Sequence, residues 1–255
     1  SGLYFKVDTI KRVQNLILSF KERTKIKKTI NNIEFKKIYL KKVSFSYDIN
    51  NSKKIFNDLD LDITKNDTIG IIGSSGSGKS TLLDLICGIL TPSKGKIFLD
   101  EDPLNEEKIY SWQNKISYIS QKNYLLNGSI LQNIAFAEKP NDIDINRVKE
   151  SIKFSKLEKL VSDKPNGLDF NIGEDGKNIS GGQRQRIILA RAIYRKADLI
   201  IFDEATAALD KSTENEILSD IKDNFHKKKT LIISTHKSDT LYFCDKVLNI
   251  DDFKG

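Results

Sequence analysis

The chain has 255 residues, a formal net charge of +7, 38% hydrophobic and 30% charged residues, a balance that fits a globular protein of one large domain or a lobe with a subdomain. No run approaches the roughly 18 consecutive apolar residues of a spanning helix and nothing resembles a signal peptide, so the chain reads as cytosolic. Residues 1–41 hold eleven Lys/Arg against three Asp/Glu, whereas residues 42–255 hold 31 against 32, so the basic excess does not lie on a folded core where a nucleic-acid binder would need it.

Met is absent, so residue 1 is not expected to be a natural start, and the chain reads as a piece of a longer protein with its membrane part elsewhere. Basic residues flanking a membrane span on its cytoplasmic side would give this charge pattern; a solvated charged helix is the alternative. Cys87 and Cys244 are the only cysteines. Both are expected to be buried reduced thiols, with no disulfide framework or metal site.

In chain order, Val7, Ile10, Val13, Ile17 and Phe20 are spaced as one face of an amphipathic helix over 3–28. Residues 38–47 alternate and predict a strand, as do 58–64. Thr68–Ile72 is a short apolar strand feeding a glycine-rich loop, followed by a helix over Lys79–Leu90 that Thr91-Pro92 and Gly95 close. Strands are predicted at 96–99 and 116–119. The stretch 122–178 shows helical patterns and no strong strand. Helix 181–195, apolar strand 199–202, helix 212–225, strand 230–234, a helical piece at 239–244 and a last strand at 246–250 complete the chain. Strands alternating with helices predict an α/β fold with a mostly parallel sheet.

Residues 73–81 read Gly73-Ser74-Ser75-Gly76-Ser77-Gly78-Lys79-Ser80-Thr81, which matches G-x-x-x-x-G-K-[ST] between a strand and a helix. Glycines let successive N–H groups point inward, and those amides with the helix dipole bind phosphates. Lys79 is placed for the β- and γ-phosphates and the Ser80 hydroxyl for Mg²⁺. The competing reading, a Gly/Ser-rich turn, explains neither the Lys-Ser pair nor the context.

Leu199-Ile200-Ile201-Phe202 ends in Asp203-Glu204. An apolar strand delivers both carboxylates to its C-terminal end, beside the loop after a neighbouring strand. Asp203 can then hold the Mg²⁺ shell, and Glu204 can accept a proton from, or orient, an attacking water.

Residues 179–183 read Ile179-Ser180-Gly181-Gly182-Gln183, followed by Arg184-Gln185-Arg186. With this motif before a helix and shortly before Asp203-Glu204, the chain resembles the nucleotide-binding domain of ABC transporters over about residues 38–250. Ile179 stands where the family usually has Leu. The resemblance implies a P-loop NTPase core with an N-terminal antiparallel β portion and a helical subdomain at about 122–190. Residues 38–255 would form the ATP-binding domain, and 1–37 a basic linker after a transmembrane domain.

The resemblance also implies roles for single residues. Tyr47 would stack on adenine, and Gln121 would sense Mg²⁺ and the lytic water. Ala207-Ala208-Leu209-Asp210 would cross to a partner domain, and His236 would contact the γ-phosphate. His226, in a lysine-rich stretch, is expected to be a surface residue. Ser180 with the Gly181, Gly182 and Gln183 helix tip would bind the γ-phosphate of an ATP held by a second copy. Two copies would sandwich two ATP molecules head to tail, a ligand-biased two-state element.

Residues 124–134 after Gln121, and Gly173-Glu174-Asp175-Gly176 before the signature, resemble exporter elements that meet the membrane domain. They imply an ATPase joined to a transmembrane domain in one longer chain, at the cytoplasmic face of the cell membrane. The cargo would be lipid, lipid-linked oligosaccharide or peptide. An importer subunit, and less so a soluble relative acting on DNA or ribosomes, are the alternatives.

Overall fold

The computed structural model describes residues 33–48, 54–120, 124–206, 211–237 and 241–253. The amphipathic pattern at 3–28, Gln121 and the segment 207–210 lie outside the described residues, as do residues 239–240 of the helical piece expected at 239–244.

Two sheets carry the fold. The antiparallel sheet has the order β2(Phe56–Thr64)-β1(Lys37–Phe45)-β4(Lys94–Leu99)-β5(Asp102–Pro103). The second runs β6(Ile116–Ile119)-β7(Leu199–Asp203)-β8(Thr230–Ser234)-β3(Thr68–Ile72)-β9(Lys246–Asn249), and its pairings are parallel.

The apolar runs explain why β3, β7 and β8 are central. Successive side chains of a strand point to opposite faces, so a strand covered on both faces must be apolar throughout. Leu199 and Ile201 enter the core beneath the antiparallel sheet, together with Leu82, Leu83 and Trp112. Ile200 and Phe202 enter the core shared with Ile187, Ile217 and Ile221.

Among the described residues the α-helices are α1(Lys79–Ile86), α2(Glu106–Gln113), α3(Ile130–Ile134), α4(Ile145–Phe154), α5(Glu158–Asp163), α6(Gly181–Tyr194) and α7(Lys211–Phe225). The helix expected to reach Leu90 stops at Ile86. Gly88 takes φ 66, its N–H reaches Leu85 O at 3.0 Å and the Ile89 N–H reaches Asp84 O at 2.9 Å, a Schellman closure that a glycine permits. Residues 100–115, given no element above, hold β5 and α2. Asn105 caps α2 by accepting from Lys108 N, and Trp112, fully buried, donates Nε1–H to Ile86 O at 2.8 Å.

Strand β1 ends at Phe45 rather than 47. His226 is half-buried rather than a surface residue, with Nδ1 3.0 Å from Thr68 Oγ1 and its ring edge-on to Phe243. Cys87 is buried, Cys244 is partly buried, and both are free.

Candidate active site

The turn from β3 into α1 borders a cleft of about 400 Å³ lined by Tyr47, Ser75, Gly76, Gly78, Lys79, Ser80, Thr81, Asp203, Glu204 and Ile55. The parallel register builds it. Ile71 pairs with Ser234, and Asp203 pairs with the same Ser234, so the C-terminal ends of β3, β7 and β8 open side by side. Ligands of open α/β sheets bind at that edge.

Gly78, which precedes α1, has φ 104. A Cβ there would lie 2.6 Å from Ile55 Cγ2 and 2.9 Å from Phe56 Cζ, so both space and backbone angle require glycine. Lys79 is 5% exposed. Its Nζ donates to Gly73 O at 3.0 Å and Ser74 O at 3.2 Å, folding the side chain back along the turn. Ser74 donates both N–H and Oγ–H to Asp251, each at 2.9 Å. Ser77 Oγ is buried without a hydrogen-bond partner. Ser80 is exposed at the cleft.

Lys79, Glu204 and His236 meet beside the phosphate turn, although His236 is not among the residues lining the cleft. Lys79 Nζ lies 3.4 Å from Glu204 Oε1, and His236 Nε2 lies 2.6 Å from the same oxygen. His236 Nδ1 faces Gly73 O at 3.2 Å. Glu204 has φ 50, a left-handed backbone that a non-glycine residue adopts at a cost of about 1–3 kcal/mol. Its N–H is held by Ser234 O and Ser234 Oγ, both at 3.1 Å.

Asp203 is held rigidly. Ser234 Oγ donates to Oδ1 at 2.6 Å and Tyr118 OH to Oδ2 at 2.8 Å. Burial and the hydrogen bond to Asp203 push the Tyr118 phenol far above its ordinary range, so it stays a neutral donor. Burial and the Asp203 charge also raise the Asp84 carboxyl. Each Asp203 oxygen keeps acceptor capacity beyond its one hydrogen bond, and the Ser80 hydroxyl lines the same cleft. Such hard oxygens suit Mg²⁺. Among the described residues no three His, Cys, Asp or Glu gather as a metal cage.

Tyr47 stands at the cleft rim, 64% exposed. Its ring meets Phe45 edge-on at 4.9 Å and its OH lies 3.0 Å from Thr81 Oγ1. A broad aromatic face is thus available for stacking.

Ser180, Gly181, Gly182 and Gln183 are not among the residues lining this cleft. Ser180 Oγ accepts from Gln183 N at 3.2 Å and Gln183 Oε1 accepts from Ser180 N at 2.9 Å, a capping box at the start of α6. Space around Gly181 is open for 4 Å beyond an added Cβ. The Arg184 guanidinium is 2.5 Å from Asp175 and holds that carboxyl below its usual range. Arg191 of α6 donates to Tyr124 O at 3.0 Å and Asn133 O at 2.8 Å, tying 124–134 to the same helix.

Sequence reading missed Tyr118, Ser234 and Asp251 as supporting groups. Ser234 had a signal, its place at the end of an apolar strand next to Thr235-His236; the other two had none.

The ABC transporter family model matches residues 56–207. The chain belongs to the ABC transporter family. It is 34% identical over 194 residues to an ATP-dependent lipid A-core flippase of Ralstonia nicotianae, covering 76% of this chain and 33% of that protein. It is 37% identical over 213 residues to the flippase of the same description from Shewanella denitrificans, covering 83% and 35%. The chain thus spans about a third of the length of these curated relatives. Among solved structures it resembles a bacterial Atm1-family ABC exporter with ATP bound, at a TM-score of 0.75 and 28% identity over 85% of this chain and 37% of that one.

Proposed function

We propose that this chain is the motor of an ABC exporter, in which ATP closes two copies on each other and hydrolysis releases them. The observation that carries the reading is the convergence of Lys79 and His236 on one oxygen of Glu204, beside the phosphate turn. Lys79 then binds the β- and γ-phosphates, Tyr47 stacks on adenine, and Ser80, Asp203 and Gln121 hold Mg²⁺. When bound, the ion would neutralise charge on the phosphoryl oxygens. Glu204 orients the attacking water and His236 steadies the γ-phosphate, so rate comes from positioning and charge stabilisation.

Ser180, Gly181, Gly182 and Gln183 of the second copy cap the triphosphate, and the loop containing Asp210 crosses between copies. Residues 38–255 serve as the ATP-binding domain, with the helical portion at about 122–190 passing motion toward a transmembrane domain of the same longer chain. Residues 1–37 serve as the basic linker at the cytoplasmic face of the membrane. Since its relatives are named lipid A-core flippases, an amphipathic lipid is the proposed cargo.

The experiment is complementation. Lys79→Ala and Ser180→Arg copies are each inactive alone. Mixed, they form heterodimers with one intact composite site, and ATPase activity returns. Failure of the mixture to hydrolyse ATP, or full activity of Ser180→Arg alone, rejects the shared site.

A further inference from the structure

Near the start of α7, one carboxylate is almost wholly withdrawn from water. Glu214 is 1% exposed, lies in the first turn of its helix, and is not among the residues lining the nucleotide cleft. A buried charge is costly unless paired and hydrogen-bonded, and Glu214 has a partner on each oxygen. Thr206 Oγ1 donates to Oε1 at 2.9 Å, and Lys237 Nζ donates to Oε2 at 2.7 Å.

Those partners come from different strand ends. Thr206 lies two residues past Glu204, beyond β7, and Lys237 follows His236, beyond β8. From the same two turns, His236 Nε2 and Glu204 Oε1 approach to 2.6 Å. Strand register fixes the backbone only as far as Asp203 and Ser234; beyond it Glu204 turns left-handed. Lys237 N–H also donates to Thr235 Oγ1 at 3.0 Å, so its own turn is braced as well.

We infer that Glu214 is a positioning residue for hydrolysis: its buried carboxylate clamps the turns after β7 and β8 and so sets the Glu204–His236 geometry. This rests on the roles proposed for those two residues. Glu214 touches no reactant. Loss of the clamp lets the two side chains drift, and a misplacement of about 1 Å can cost on the order of a hundredfold in rate. ATP binding through the phosphate turn, which Glu214 does not touch, is unaffected.

The test is steady-state ATPase kinetics of the full chain. Glu214→Gln keeps the shape but loses the charge facing Lys237; kcat is expected to fall about 10- to 100-fold, with KM for ATP within about threefold. In a His236→Ala background the same substitution is expected to lower the residual rate by less than about twofold, because the group it positions is gone. Should Glu214→Gln not fold, Thr206→Val and Lys237→Ala each break one arm, and each is expected to reproduce the kcat loss. An unchanged kcat in a folded variant overturns the inference. So does a rise in KM in place of the kcat loss, or an equal fold-loss in the His236→Ala background, which would mark Glu214 as merely structural. If Glu204→Gln and His236→Ala alone retain full kcat, the site reading fails first, and the parent variants reveal that separately.

Discussion

Glu204 Oε1 receives both His236 Nε2 at 2.6 Å and Lys79 Nζ at 3.4 Å. The proposed base is thus held by the two side chains that would engage the triphosphate. In the proposed mechanism, phosphate binding would exchange these contacts, drawing Lys79 and His236 toward the anion and releasing Glu204 toward water.

Lys79→Ala removes a buried ammonium that donates to Gly73 O and Ser74 O. Truncating one partner of a buried charged contact costs about 2–5 kcal/mol, so ATP affinity is expected to fall at least about thirtyfold. A nucleotide titration by calorimetry measures this.

Gly78→Ala places a methyl 2.6 Å from Ile55 Cγ2 at φ 104. The turn cannot keep its shape, and nucleotide binding is expected to be lost while far-UV circular dichroism stays near wild type. Wild-type affinity in this variant would show that the turn tolerates a side chain.

Trp112 is fully buried, edge-on to Phe35 at 5.1 Å and bonded to Ile86 O. Trp112→Ala leaves a cavity and an unpaired carbonyl at the end of α1. A loss of about 3–5 kcal/mol is expected, read from chemical denaturation.

The Cys87 thiol is pushed up to about 12 by burial and then by the Asp84 charge, and Cys244 to about 12 by burial and then by Asp245. An acid whose folded pKa is raised adds stability that is intact below its unfolded value of about 8.5 and is lost as pH climbs toward 12. Maleimide labelling at pH 8 is therefore expected to be slow in the native protein and fast after unfolding. The drop in Tm between pH 8 and 10 should shrink in Cys87→Ala.

Much of this architecture was legible because its signals are local. Leu199–Asp203 is an apolar run ending in acid, and it became a strand buried on both faces that carries Asp203 and Glu204 to the cleft. The G-x-x-x-x-G-K-S pattern and Ser180-Gly-Gly-Gln183 each found a helix start. What stayed hidden was set by contacts distant in sequence. Asp251 braces Ser74 across 177 residues and Tyr118 reaches Asp203 across 85, and no periodicity encodes such pairings. Helix α2 escaped because eight residues give little periodicity, although Asn105 followed by Glu106 and Glu107 was a start signal. Tyr47 closed the strand expected over 38–47, which stops at Phe45 and leaves its side chain at the cleft rim.

The most direct measurement is made on Glu204→Gln with ATP and Mg²⁺, following phosphate release and molecular mass by size-exclusion chromatography with light scattering. ATP is expected to bind with near wild-type affinity, hydrolysis to fall by at least about a hundredfold, and the protein to accumulate as a dimer that disperses when ATP is removed. Phosphate release at the wild-type rate, or a strictly monomeric protein that turns over ATP at full speed, would contradict the account.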